Sequence, residues 1–232
     1  MTLIDKIRGK FVVFDGPDGS GKGTQLDLLQ RYLEERGVAV VRGKDPGGTV
    51  IGDRIRGVLL GYDLAGMDVR CETFLFMASR AQLVGEVIEP ALREGRTVLC
   101  DRFISATCAY QGAAGYDPRR VIEVGRYAVG ETWPHLTVIL DVPVEEGFRR
   151  TGRKPHHAGK NRKRHAAGQQ SLFDDSHPDA MEARPLDYHR KVRENFLALA
   201  GVYPKPVVVV DGTGEPESVH RRVLETIERA DL

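Results

Sequence analysis

The stretch 10–25, KFVVFDGPDGSGKGTQ, decides the fold. Its opening, KFVVFD (10–15), is an apolar run too short for a helix. It has no polar alternation, which is the pattern of a strand buried on both faces. The run passes directly into GPDGSGKGT (16–24), and residues 22–35 then read as a helix. A strand, a Gly-rich turn and a helix start in immediate succession make a cradle for phosphate. Gly16, Gly19 and Gly21 let backbone N–H groups turn inward, and the helix N-terminus adds positive dipole. Lys22 then reaches the β- and γ-phosphates. The phosphate-binding set is Gly16, Pro17, Asp18, Gly19, Ser20, Gly21, Lys22, Gly23 and Thr24. Gly23 stands where a Ser or Thr hydroxyl normally helps to hold Mg²⁺, so Thr24 or a water would have to substitute.

Working outward, 37–42 (GVAVVR), 96–100 (RTVLC), 136–140 (LTVIL) and 206–211 (PVVVVD) are four more β-branched runs. Helical stretches lie between them, at 51–60, 71–94, 118–129, 186–200 and 216–230. This alternation predicts an α/β fold: a doubly wound five-stranded parallel sheet flanked by helices, with 1–232 as a single domain. In the helix at 186–200, Tyr188, Val192, Phe196 and Leu199 form an apolar stripe and read as core.

One segment breaks the rhythm. From about 150 to 182 there is no hydrophobic period, and loops beyond about 12–15 residues are usually functional or disordered. Eight Lys/Arg and no Asp/Glu fall between Arg149 and His165, against a net charge of +1 for all 232 residues. A basic island on a net acidic body points to a polyanionic ligand and to an extended basic lid.

Composition excludes other classes. With 41% hydrophobic and 29% charged residues the chain is neither disordered nor a membrane protein, and no apolar run is long enough to span a bilayer. The first ten residues lack the apolar stretch of a secretory signal. Cys71, Cys100 and Cys108 have neither CxxC spacing nor partnering histidines, so neither a disulfide framework nor zinc is indicated. The expected setting is cytoplasmic.

The run at 96–100 ends in Asp101-Arg102-Phe103. A carboxylate at the C-terminal edge of a parallel strand faces the ligand crevice, where Asp101 can orient Mg²⁺ or its waters. Arg102 beside it can clamp phosphate with both arms of its fork.

At these residues the chain resembles the thymidylate kinases. Matching pieces occur in order: VFDGPDGSGKGTQ (13–25), DPGGTVIGDRIR (45–56), FLFMASRAQLVGEVIEPAL (74–92), DRFISATCAYQG (101–112) and VDGTGEPESV (210–219). The resemblance implies ATP as phosphate donor, dTMP as acceptor, Mg²⁺ and a homodimer, for which the apolar face of 71–94 is a candidate. It implies that Asp18 meets the sugar 3′-hydroxyl, Phe76 stacks on thymine and Arg80 donates to its O4. Four-residue spacing puts Phe76 and Arg80 on one helix face. Arg56 would line the acceptor pocket with Arg102, Tyr110 would exclude a 2′-hydroxyl, and Gln111 would close the pocket. The resemblance further implies transition-state arginines in the lid, for which Arg149, Arg150 and Arg153 are the candidates; with Lys22, Asp101 and Arg102 they make up the catalytic set.

The chain departs from the family pattern at several points. The usual Glu-Pro-Gly-Gly is Asp45-Pro46-Gly47-Gly48. The usual Asp-Ser-Ser is Ser105-Ala106-Thr107, with Thr107 keeping a hydroxyl for the base and Ala106 leaving dUMP open as an acceptor. The lid is also longer and more basic. GKGTQ equally spells the loop of adenylate kinases, and an ATP-binding switch without an acceptor is a further alternative. No aromatic residues interleave the basic cluster 160–164, which argues against nucleic acid. The peptide 169–173 (QQSLF) resembles the short segment by which bacterial replication proteins dock on the sliding clamp.

Overall fold

A computed structural model describes residues 2–61, 66–153 and 184–232. Five strands form one all-parallel sheet: β1 (Phe11–Asp15), β2 (Val40–Lys44), β3 (Thr97–Asp101), β4 (Leu136–Asp141) and β5 (Val207–Asp211), in the order β2-β3-β1-β4-β5. The expected sheet is therefore present. Side chains alternate between two cores. Phe11 and Val13 of β1, Val98 and Cys100 of β3 and Ile139 of β4 enter one cluster. Val12, Phe14, Leu99, Leu136, Val138 and Leu140 enter the other. Period-2 alternation with both faces apolar is why these runs read as continuous hydrophobic stretches.

Residues of α1 (Leu3–Ile7), α2 (Lys22–Glu34) and α10 (Pro216–Arg229) fill the second cluster. The first holds residues of α4 (Val69–Leu83), α6 (Ile104–Ala113), α7 (Pro118–Val129) and α9 (Leu186–Ala198). Beside α4 lies α3 (Val50–Leu60). On α9, Val192 and Phe196 are core as expected, with Leu199 just beyond it.

Two expectations need correction. The second strand is displaced from 37–42 to Val40–Lys44: Gly37, at φ +71°, closes α2, and Val38 donates its N–H back to the Leu33 carbonyl. The helix at 71–94 is three pieces, α4, a π-helical turn over Val84–Ile88, and α5 (Glu89–Arg93). Pro90 has no N–H to continue the ladder, and the Glu89 N–H bonds five residues back to Val84. Helices α1 and α6 were not anticipated. The sixth hides because Ile104 to Gln111 are all buried, so no polar face marks a 3.6-residue period. The basic cluster 160–164, the peptide 169–173 and most of the expected lid lie outside the described residues.

Candidate active site

Each strand ends in, or is followed at once by, an aspartate: Asp15, Asp45, Asp101, Asp141 and Asp211. The C-terminal edge of a parallel sheet is where ligands bind in such folds, so this row of carboxylates needs counter-charges. Four have them. Arg102 approaches Asp15 at 3.4 Å, Arg80 meets Asp45 at 2.5 Å, Arg193 grips Asp141 at 2.7 Å, and Arg222 lies 3.6 Å from Asp211. Asp101 has no ion pair among the described residues, and its Oδ1 is buried without a hydrogen-bond partner.

The phosphate loop sits over β1. The Lys22 ammonium donates to the carbonyls of Gly16 (3.1 Å) and Pro17 (3.0 Å) and lies 3.4 Å from Ser20 Oγ. Burial, with Arg102 adding, pushes it down to about 8 against the pull of Asp18, Asp101 and Asp15. Gly23 and Thr24 face solvent on the first turn of α2. Above the loop packs α8 (Val144–Arg150), and the contact is backbone on backbone. A Cβ on Gly19 would overlap the Gly147 carbonyl, and one on Gly147 would overlap the Asp18 carbonyl. No residue but glycine fits this approach.

That docking aims two of the three expected lid arginines. Arg150 donates to the carbonyls of Gly19 (3.4 Å) and Gly212 (3.1 Å), and Arg153 reaches Asp18 Oδ2 at 3.3 Å. Arg149 is turned outward, its fork spent on Glu146.

Asp18 is the meeting point of both sides of the site. Arg102 Nη2 donates to its Oδ1 at 2.6 Å and the Tyr110 hydroxyl at 3.0 Å, while Arg102 also lies over the Tyr110 ring. Burial works to raise the Asp18 carboxyl, but Arg102, Lys22 and Arg153 together hold it well below the ordinary carboxylate range. Burial likewise drives Tyr110 well above its usual value, so it stays a neutral donor.

The residues expected to form the acceptor side make a second network. Arg80 is fully buried: Nε donates to Asp45, and Nη2 to the Phe103 carbonyl (3.0 Å) and Thr107 Oγ1 (3.1 Å). The acceptor that an arginine one turn from a core phenylalanine requires is thus Asp45, of the Asp-Pro-Gly-Gly turn. Phe76 is 9% exposed at the margin of the core. Arg56 bonds the Pro46 carbonyl and Ser79 the Gly47 N–H, both at about 3 Å, which fixes that turn from α3 and α4. Gln111 is fully buried with both amide atoms unpaired among the described residues, as for groups aimed at a ligand. Asp15, Ser105 and Ser79 were missed from sequence. Asp15 read only as the end of a strand, and no spacing signal links the other two to the site.

A parallel sheet with this strand order, a lysine-bearing phosphate loop after its first strand and arginines converging from three directions define a P-loop phosphotransferase. A model of the thymidylate kinase family matches residues 14–223. The thymidylate kinase of Nitratidesulfovibrio vulgaris is 39% identical over 94% of this chain and 95% of its own length. That of Symbiobacterium thermophilum is 38% identical over 94% and 92%. The crystal structure of thymidylate kinase from Ehrlichia chaffeensis superposes with a TM-score of 0.69 at 29% identity, over 94% and 98% of the two chains. The chain belongs to the thymidylate kinase family.

Proposed function

We propose that this kinase phosphorylates dTMP to dTDP with ATP, by direct in-line transfer in which a phosphate oxygen of dTMP is the nucleophile. That oxygen is already anionic near neutrality, so catalysis reduces to positioning and charge stabilisation. Lys22 and the loop amides hold the donor phosphates. Arg102, between loop and acceptor side, aligns the two phosphates. Arg153 and Arg150 cover the transferring group and help to exclude water. Asp18 accepts the sugar 3′-hydroxyl, and Tyr110 packs where a ribose 2′-hydroxyl would clash. Phe76, Arg80, Thr107, Arg56 and Gln111 complete the acceptor pocket.

Asp101 fits Mg²⁺, because its buried oxygen is unpaired. Among the described residues no cluster of three or more His, Cys, Asp or Glu could hold a metal by itself, so most remaining ligands would be phosphate oxygens and water. Bound there, Mg²⁺ would neutralise charge on the β- and γ-phosphates. Among the described residues no helix is long and apolar enough to cross a membrane, and the reading keeps the enzyme in the cytoplasm. Phe74 is exposed on α4 and, with Cys71, Leu75 and Ala78, lines a shallow cavity of about 660 Å³ on the apolar face of 71–94. This face is the reading's homodimer interface.

The observation that carries the reading is the cluster of Asp18, Arg102 and Tyr110, which ties the phosphate loop to the acceptor helix α6. A coupled ADP-release assay offering dTMP, dUMP, dCMP, dGMP, AMP and UMP separately tests it. Turnover on dTMP, alone or with weaker dUMP, is expected. Turnover on AMP, or on nothing, would overturn the pocket assignment.

A further inference from the structure

Asp15 is the last residue of β1 and is completely buried. Its carboxylate touches three separate pieces of the site. Oδ1 accepts the N–H of Gly16, which opens the phosphate loop (3.0 Å), and lies 3.4 Å from Arg102 Nη1. Oδ2 accepts the hydroxyl of Ser105, on the first turn of α6 (2.7 Å). Two of these contacts ask only for an acceptor. The arginine is the partner that asks for a charge.

Arg102 itself is held in an unusual way. Its φ of +68° makes it the single non-glycine in the left-handed region among the described residues. Its N–H bonds the Phe14 carbonyl (2.9 Å), so the backbone turn throws the side chain back across β1. The guanidinium then spans two carboxylates of different character. Asp18, at 2.6 Å, stands at the mouth of the site and is shared with Tyr110 and Arg153. Asp15 lies beneath, away from water. Burial pushes the Asp15 carboxyl above its ordinary value, and Arg102 is the strongest of the groups pulling it back. The other charged groups that act on this environment are Lys22 at the head of α2 and Asp45 after β2.

We propose that Asp15 is a positioning residue: it is the buried counter-ion that fixes the plane of the Arg102 guanidinium while the Asp18 end of the fork is exchanged for substrate. This rests on the assignment of Arg102 to the substrate phosphates. Nη2, which Asp18 holds here at 2.6 Å, has to turn toward a phosphate oxygen for Arg102 to align the substrates. A guanidinium released at the mouth needs a second anchor that solvent cannot displace, and Asp15 supplies it. Ser105 holds the other oxygen of the carboxylate, which stops the anchor from rotating.

A double-mutant cycle decides between this role and a merely structural one, because residues acting through one another give non-additive effects. Asp15→Asn keeps the shape and the acceptor for Gly16 but removes the charge. It is expected to lower kcat about 100-fold, as small misplacements of a catalytic group do, with KM for ATP within about threefold. In an Arg102→Ala background the same change is expected to alter kcat by less than about threefold. Equal losses in both backgrounds would overturn the proposal, as would a fall in melting temperature with kcat per folded molecule unchanged. Ser105→Ala covers the case in which Asp15→Asn does not fold: a loss of about fivefold in kcat that vanishes with Arg102→Ala supports the anchor, and one that persists refutes it. The cycle is read on whichever monophosphate the wild type turns over fastest. A different preferred acceptor would therefore sink the pocket assignment and leave this test intact.

Discussion

The donor and acceptor sides of the site are built from different materials. On the donor side the groups that matter are backbone amides and one lysine within seven consecutive residues, Gly16 to Lys22. The acceptor side is made of side chains from α4, α6 and the turn after β2, joined by contacts such as Arg80 to Asp45 and Arg80 to Thr107 across 35 and 27 residues. A backbone-built site tolerates most side-chain changes but no change in path. A side-chain network tolerates a shifted backbone but loses a great deal with one missing partner.

The largest expected effect falls between the two sides, on the transferring group. Arg153→Ala removes a cation that faces Asp18, and an arginine in the transition-state role is worth about 10³–10⁵ in rate. Single-turnover kinetics should show kcat falling by at least about 10³, and a loss under tenfold would reassign the role. Next comes the acceptor network. Arg80→Ala leaves the buried Asp45 carboxyl without its ion-pair partner, and breaking such a pair costs about 3–5 kcal/mol. Denaturant melts should show that loss, and Arg80→Ala with Asp45→Ala should recover part of it. If the double variant is no more stable than the single, the pair is not the coupled unit described.

On the donor side, Gly147→Ala alters only the path, by forcing α8 off the phosphate loop. A displacement of about 1 Å can cost about 100-fold, so kcat/KM for ATP should drop while dTMP binding, followed by calorimetry, changes little. Acidity gives a smaller effect. Because burial lowers Lys22 to about 8, its charge is complete well below that pH and is lost as pH rises through it. The kcat/KM for ATP reports free-enzyme groups and should bend downward above about pH 8; a profile flat through about pH 9 would contradict the burial of that ammonium. Arg149→Ala should do least, within about twofold in kcat, since its fork is spent on Glu146 at the surface.

The legibility of the chain follows the same division. The five strands announced themselves because both faces are apolar, and the phosphate loop because its glycines and lysine are contiguous. Arg149, Arg150 and Arg153 were expected together as lid arginines, and only the docking of α8 through Gly147 turns Arg150 and Arg153 toward the phosphate loop and leaves Arg149 outside. The helix α6 was invisible to periodicity because Ile104 to Gln111 are all buried, although Arg102, Thr107, Tyr110 and Gln111 around it were expected as site residues from the family resemblance. Asp15 could not be singled out, since an aspartate ending a strand looks like four others in this chain.

By itself, then, the sequence determined the parallel sheet, the phosphate loop and the family. These rest on local pattern: alternation along a strand, backbone freedom at glycines, and residues that are neighbours in the chain. Only the tertiary structure decided which arginine neutralises which aspartate at the sheet edge, and left Asp101 without an ion pair among the described residues. Charge pairing in a buried crevice depends on distance in space and on exclusion of water, and neither is written in the order of the residues.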